Sequence, residues 1–142
     1  MLCTAQKDKE RLLVIVRLAI VQRALGHLDS AEKTILFGLE KFPMKFGFLM
    51  EYAALENTRK NWKKAIERWG FLKSKYPKLE ILNYRRYAYA LQQLCLEQSK
   101  NINDEECVKL KALIEEAFSL YGEDKALKKI LDTLDTTKSK KQ

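Results

Sequence analysis

This chain of 142 residues contains few side chains that could act as acids, bases, nucleophiles or metal ligands, and their spacing does not match a catalytic motif. Two pairs of adjacent acids occur, Glu105 with Glu106 and Glu115 with Glu116. Neighbouring residues on a helix point in different directions, so neither pair is suited to joint acid–base work. The single histidine, His27, lies in a polar turn, where a solvated loop position is the favoured interpretation.

The three cysteines, Cys3, Cys95 and Cys107, form no C-x-x-C pair. An odd number at this spacing favours reduced thiols in a cytoplasmic compartment over a disulfide framework. A zinc site is not expected, because the ligands do not recur at the usual intervals. No phosphate-binding glycine loop, H-E-x-x-H or G-x-S-x-G motif occurs. We therefore expect a protein that is not an enzyme, with no cofactor, metal ion or small-molecule substrate.

Composition favours one compact all-α domain. Hydrophobic residues make up 46% of the chain, charged residues make up 32%, and only two prolines occur. No Asn-Gly or Asp-Gly turn separates alternating runs, so strands are not indicated. The longest apolar run, 12–21, is interrupted by Arg17 and is shorter than the roughly 20 residues needed to cross a bilayer. We expect a soluble, cytoplasmic protein.

A short turn followed by an amphipathic helix that ends at a proline occurs twice. Ala31 and Ala65 lie 34 residues apart, and so do Pro43 and Pro77. This period indicates a helical repeat array with two helices in each repeat. Near the start of the second predicted helix, Asp29 and Glu32 have the spacing of a capping box. We predict repeats at about 10–43, 44–77 and 78–122, a capping helix at 123–135 and a disordered basic tail at 136–142.

Several of these positions resemble the tetratricopeptide repeat family. The large–small pairs Leu18-Ala19, Tyr52-Ala53 and Tyr87-Ala88 fit its first helix. Ala31-x-x-x-Ile35 and Ala65-x-x-x-Trp69, each followed by a proline, fit its second helix. In the third repeat the pair falls one residue late, and Gly122 replaces the proline. The resemblance covers roughly residues 10–122 and implies an α-solenoid.

Two related families share part of the pattern. The segment Tyr52-Ala53-Ala54-Leu55-Glu56 is similar to the half-tetratricopeptide repeats of RNA-processing factors, although Ile66 stands where those repeats have arginine. The order E-Y-A-x-L, W-x-x-A-x-x-R-W and K-Y-P looks like repeat modules found beside bacterial glycan- and capsule-building enzymes.

The resemblance implies that the first helix of each repeat lines a concave groove. Some family members bind a carboxylate through Lys and Asn at the middle positions of this groove, and these residues are absent here. The apolar residues at these positions favour an apolar helical partner. Packing within the array is an equally open interpretation. The implied groove residues are Leu13, Val16, Ile20, Arg23, Met50, Ala54, Asn57, Leu82, Arg85, Tyr89 and Gln92.

Positive charge is concentrated in one stretch. Between Arg59 and Arg86 there are ten basic and two acidic residues, whereas the rest of the chain is balanced and the net charge is +8. Such a stretch can attract anionic membrane headgroups or nucleic acid, and a solvated face is the alternative. Besides Arg85 of the groove, its basic residues are Arg59, Lys60, Lys63, Lys64, Arg68, Lys73, Lys75, Lys78 and Arg86.

The first predicted helix, 6–25, is apolar on more than one face. Val14 and Val21 point away from the implied groove, yet both are hydrophobic. Such a helix requires cover on several sides. The covers we expect are a second copy in a two-fold dimer, another protein, or an upstream segment.

These features together predict a three-repeat α-solenoid with a C-terminal capping helix. The expected function is that of a non-catalytic protein–protein interaction scaffold, with an apolar helical partner or itself as ligand. The alternatives are peripheral binding to an anionic membrane or RNA through residues 59–86, and an RNA-processing scaffold.

Overall fold

The computed structural model describes residues 4–98 and 105–140, and all regular structure in these ranges is helical. The predicted all-α class is therefore confirmed. Cys3 and the predicted loop between the fifth and sixth helices lie outside the described residues. The helices are α1 (Thr4–Ala24), α2 (Leu28–Lys41), α3 (Phe46–Arg59), α4 (Trp62–Lys75), α5 (Ile81–Gln98), α6 (Glu105–Tyr121) and α7 (Lys125–Lys140).

The chain divides into two compact units. Unit 1, Met1–Tyr76, contains α1 to α4, and unit 2, Pro77–Gln142, contains α5 to α7. In unit 1, α1 packs on α2 and α3 on α4, and α3 also contacts both α1 and α2. In unit 2, α5 packs on α6, and α7 contacts both. Consecutive helices thus pack as pairs, as a helical repeat solenoid requires.

Small residues let the helices of unit 1 approach closely. Ala31 in α2 and Ala65 in α4, the two alanines separated by the repeat period, are completely buried. Gly38 in α2 lies against the ring of Phe48, which is itself fully buried in α3. A Cβ atom at position 38 would overlap this ring. The α2–α3 crossing therefore depends on a residue without a side chain.

Two glycines lie at the ends of helices. Gly26 (φ 84°) follows α1 and Gly122 (φ 81°) follows α6, in the left-handed conformation that glycine adopts without strain. The predicted capping box of α2 is wrong. This helix begins at Leu28, and no side chain caps its first turn. Asp29 and Glu32 bind an arginine instead, because a nearby cation attracts their carboxylates away from the backbone.

The last helix is longer than predicted. Leu127 and Ile130 on its apolar side are buried, and the charged side chains Lys125, Lys128 and Lys129 are exposed. The helix continues to Lys140 and includes 136–140, which we expected to be a disordered tail. The sequence after Gly122 contains no glycine or proline that would end a helix. Residues 141–142 lie outside the described part.

Replacing Gly38 with alanine tests the close approach of α2 and α3. In the middle of an ordinary helix this change stabilises by about 1 kcal/mol. Here we expect a loss of about 1–3 kcal/mol in the free energy of unfolding, because the new methyl group collides with the Phe48 ring. Urea denaturation followed by circular dichroism measures the difference. Gly47→Ala is the control, since its Cβ would lie 3.1 Å from Val16 and a small shift relieves the contact. A Gly38→Ala protein as stable as the wild type contradicts the described crossing.

Candidate functional site

A buried carboxylate lies at the centre of unit 1. Glu56, on α3, is only 1% exposed. Its Oε1 accepts hydrogen bonds from Nη1 of Arg59 and Nη1 of Arg68, each at 2.8 Å. Burying an unpaired carboxylate costs several kcal/mol, and two guanidinium groups offset that cost. Glu56 therefore requires both arginines near it.

Two further acids complete this cluster. Arg59 also binds Glu32 Oε1 and Asp29 Oδ1, both at 3.1 Å. The hydrogen bond to Glu32 is the main reason that the pKa of Arg59 is raised above its ordinary value. We call Asp29, Glu32, Glu56, Arg59 and Arg68 the Glu56 network. It joins α2, α3 and α4.

Arg68 makes two more contacts on α3. Its Nη1 donates a hydrogen bond to the backbone carbonyl of Tyr52 at 3.0 Å. Its guanidinium carbon lies 3.5 Å from the centre of the Tyr52 ring, a cation–π contact. The side chain is therefore held in one place and is only 15% exposed. Arg68 is a structural residue.

A second buried ion pair joins α1 to α3. Arg23 binds both carboxylate oxygens of Glu51, with Nε–Oε2 and Nη2–Oε1 distances of 3.2 Å. Glu51 is 1% exposed, so this bidentate contact neutralises a charge that has little access to water. Arg23, which the family resemblance places in the groove, holds α1 in position instead.

The predicted basic stretch contains side chains of two kinds. Arg59 and Arg68 are neutralised inside the Glu56 network. Lys60, Lys63 and Lys64 are exposed at the start of α4, and no ion pair is formed by these three among the described residues. Of the remaining basic residues, Lys75 lies over the Phe71 ring, Lys78 lies over the Tyr121 ring, and Lys73 and Arg86 are partly buried.

Several predicted groove positions of unit 1 are occupied by internal contacts. Val16 lies against Gly47 of α3. Ala54 is buried, and the side-chain oxygen of Asn57 accepts a hydrogen bond from Nε1 of Trp69 at 3.0 Å. Trp69 is fully buried, in agreement with a packing role. These three groove positions therefore stabilise unit 1.

In unit 2, the predicted groove residue Arg85 holds the start of α7. Its Nε donates to Asp124 Oδ2 at 3.1 Å, and that oxygen also accepts the backbone N–H of Leu127 at 3.1 Å. Asp124 thereby caps α7. Its hydrogen bond with Arg85 lowers the pKa of this carboxyl.

Predicted groove residues that remain exposed are Leu13, Ile20, Leu82 and Tyr89, and Met50 and Gln92 are half-buried.

An exposed apolar stripe runs along α1 and ends at Leu25, the first residue after this helix. Val14 is 65% exposed, Leu18 47%, Val21 52% and Leu25 65%. Intervals of four, three and four residues place these side chains on one face of the helix, in the spacing of a coiled-coil seam. Of the α1 residues from 6 onward, only Ala19 is fully buried. We call Val14, Leu18, Val21 and Leu25 the α1 stripe.

Two open clefts lie on unit 1. One, of about 630 Å³, adjoins the α1 stripe at Val14 and is lined by Ile15, Phe37, Phe42 and charged residues of the first turns of α1. The other, of about 370 Å³, is lined mainly by apolar side chains and by Arg68 and Glu67. The second cleft, with its mainly apolar lining, suits an apolar side chain of a partner. The lining of the second cleft includes Leu39, Pro43, Met44, Leu49, Tyr52 and Phe71.

His27 precedes α2 as an exposed residue. No group of three metal-ligating side chains occurs among the described residues. In unit 2 the Tyr84 phenol is buried, and burial is the main cause that raises its pKa to about 12, so it stays protonated at neutral pH. No helix in the described ranges has both the length and the hydropathy to cross a membrane.

Sequence reasoning missed the two buried acids, Glu51 and Glu56. A signal was present, because both acids border the apolar segment Tyr52-Ala53-Ala54-Leu55. At helical spacing, this segment leaves no continuous polar face to which the acids could belong. Their partners, however, lie up to 28 residues away along the chain, so the ion pairs could not be assigned from local spacing.

The packing and these surfaces define a class: an all-α protein of paired helices, with charged networks inside unit 1 and an uncovered apolar stripe on α1. Comparisons with protein families, characterised proteins and solved structures give no match for this chain.

Replacing Glu56 with glutamine tests the central network. The change keeps the size of the side chain but removes the charge that Arg59 and Arg68 bind. We expect the free energy of unfolding to fall by about 3 kcal/mol or more, since two partly buried cations lose their common partner. Urea denaturation gives this value. Glu67→Gln, the same change at an exposed site on α4, should alter stability by about 0.5 kcal/mol or less. Equal losses in the two variants contradict the assigned role of Glu56.

Proposed function

We propose that this chain is a non-catalytic protein–protein interaction module and that the α1 stripe is its docking surface. The observation that carries the proposal is the exposure of Val14, Leu18, Val21 and Leu25, which ranges from 47% to 65%. Each large apolar side chain gains about 1.5–3 kcal/mol on full burial, so four aligned side chains provide a substantial driving force for association. A helical partner fits best, because the stripe has coiled-coil spacing.

The occupant we propose is α1 of a second copy. The intervals along the stripe read four, three, four in both directions, so a two-fold axis between Leu18 and Val21 maps the stripe onto itself. In antiparallel pairing, Val14 lies opposite Leu25 of the other copy, and Leu18 lies opposite its Val21. Every contact then joins one valine to one leucine, which gives pairs of equal size. Such self-complementarity is what a two-fold interface requires.

The surface around the stripe supports the same proposal. Leu13 and Ile20, two exposed residues of the predicted groove, add further apolar surface to α1. The cleft lined by Phe37 adjoins it at Val14 and can accept the end of a partner helix. The docking surface is therefore shifted from the groove that the family resemblance implies, because Val16, Arg23, Ala54 and Asn57 make internal contacts there.

Replacing Val14 with glutamate tests this interface. We expect the wild-type chain to form a dimer in solution and the Val14→Glu variant to be monomeric, because the new charge would be desolvated at the interface. Light scattering coupled to size exclusion measures the mass, and circular dichroism checks the fold. Val108→Glu is a matched control in unit 2, where the same residue is 59% exposed. It should remain dimeric.

The outcomes of this test are distinct. A wild-type chain that is monomeric at high micromolar concentration contradicts self-association. If such a monomer binds another protein through Val14, the α1 stripe is still the docking surface, but its partner is that protein and not a second copy. A Val14→Glu variant that is still dimeric excludes the α1 stripe as the interface.

A second candidate function is electrostatic binding to an anionic surface through Lys60, Lys63 and Lys64. The favouring observation is that all three are exposed around the start of α4. The amino-terminal end of a helix is positive, so Lys63 and Lys64 in the first turn of α4 do not stabilise this helix, and an anionic ligand accounts for them better. Such binding would weaken steeply as salt rises.

Replacing Lys60, Lys63 and Lys64 together with glutamate tests the second candidate. We expect the wild type to sediment with vesicles containing phosphatidylserine, or to shift RNA, at low salt, and the variant to lose this binding. The control is a triple change to glutamate at Lys111, Lys125 and Lys129, which are exposed in unit 2 and alter the net charge equally. Equal losses in both variants indicate a nonspecific charge effect. If the wild type binds neither the vesicles nor RNA at low salt, this candidate function is wrong.

A further inference from the structure

Two cysteines on neighbouring helices of unit 2 are in contact. Sγ of Cys95 on α5 and Sγ of Cys107 in the first turn of α6 lie 2.8 Å apart. Both are reduced thiols in this structure. Cys95 is 9% exposed, and Cys107 is partly exposed. The sequence favoured reduced thiols, because the three cysteines form no C-x-x-C pair and their number is odd.

We propose that Cys95 and Cys107 form a reversible disulfide that links α5 to α6. A disulfide bond is about 2.05 Å long, so small side-chain rotations bring the two sulfur atoms to bonding distance. The helices that carry the cysteines already pack together, and no rearrangement of the backbone pairing is needed. This inference is independent of the proposed docking surface, which lies in unit 1.

A peroxide is the oxidant that the proposal requires. The sulfur of Cys107, which is the more exposed thiol, attacks a peroxide oxygen, forming an S–O bond as the O–O bond breaks and water leaves. The sulfur of Cys95 then attacks the resulting sulfenic acid. The S–S bond forms, the S–O bond breaks and a second water leaves. Two thiols lose two electrons and two protons, and hydrogen peroxide is reduced to two waters. A dithiol reverses the reaction by exchange.

The disulfide would stabilise the α5–α6 pair. It closes a short loop that contains the connection between the two helices, and this restricts the unfolded chain. Oxidation should therefore raise the melting temperature and slow exchange of the amide hydrogens in α5 and α6. The predicted effect is confined to unit 2, because both cysteines and both helices belong to it.

The experiment uses the full chain with Cys3→Ser, so that only Cys95 and Cys107 remain. The protein is treated with hydrogen peroxide or with dithiothreitol, then unfolded and labelled with a maleimide. We expect two labelled thiols after reduction, and none after oxidation, with a mass loss of two hydrogen atoms in a single chain. The melting temperature should rise by about 5 °C or more and return after reduction.

A second variant tests whether the effect of oxidation requires Cys107. Cys3→Ser with Cys107→Ser should show no oxidation-dependent rise in melting temperature, while its reduced form should melt close to the reduced parent. Two labelled thiols after peroxide treatment of the parent overturn the proposal. A disulfide between chains, or an intramolecular disulfide that leaves the melting temperature unchanged, overturns it as well.

Discussion

The burial of Glu56 is the constraint on which the packing of unit 1 depends. A carboxylate that is 1% exposed loses nearly all of its hydration, and the protein must replace that hydration with its own groups. Arg59, three residues along the same helix, supplies one cation, and Arg68 on α4 supplies the other. Arg59 also reaches α2 through Glu32. Three helices must therefore approach one carboxylate together, which fixes their relative positions more strictly than apolar contacts do.

Between Arg59 and Arg68, this constraint divides the positive charge by residue type. The guanidinium group is planar and can bind several acceptors at once, whereas the ammonium group of lysine acts as a compact, strongly hydrated charge. In the basic stretch, Arg59 and Arg68 satisfy the buried acid, while Lys60, Lys63 and Lys64 stay in solvent. These two arginines are therefore required by the structure, whereas the three lysines form exposed positive surface. Only the exposed part can attract an anionic partner.

The sequence predicted those features that depend on neighbouring residues. The interval between Ala31 and Ala65 identified the helix pairs, and both alanines are buried as a repeat requires. Gly26 and Gly122 marked helix ends, because the left-handed conformation favours glycine wherever it occurs. The acids at 29 and 32 were misinterpreted as a capping box, because that pattern is local while their actual partner, Arg59, comes from another helix. The partners of Arg23 and Arg85 could not be predicted for the same reason, because Glu51 and Asp124 lie 28 and 39 residues away along the chain.

The exposure of the α1 stripe is the basis of the association that we propose, and a comparison with α7 shows how this stripe differs from an ordinary amphipathic helix. In α7 the apolar side chains Leu127 and Ile130 are buried, and the lysines face water, so packing and sequence agree. In α1 packing and sequence disagree, since Val14 and Leu25 are each 65% exposed. Pairs of apolar residues at this spacing stabilise a helix in water by only about 0.2–0.5 kcal/mol each. A conflict of this kind between local sequence and surroundings is expected where a surface is used for binding. The regular spacing of the stripe is the reason that we propose a helix as its partner.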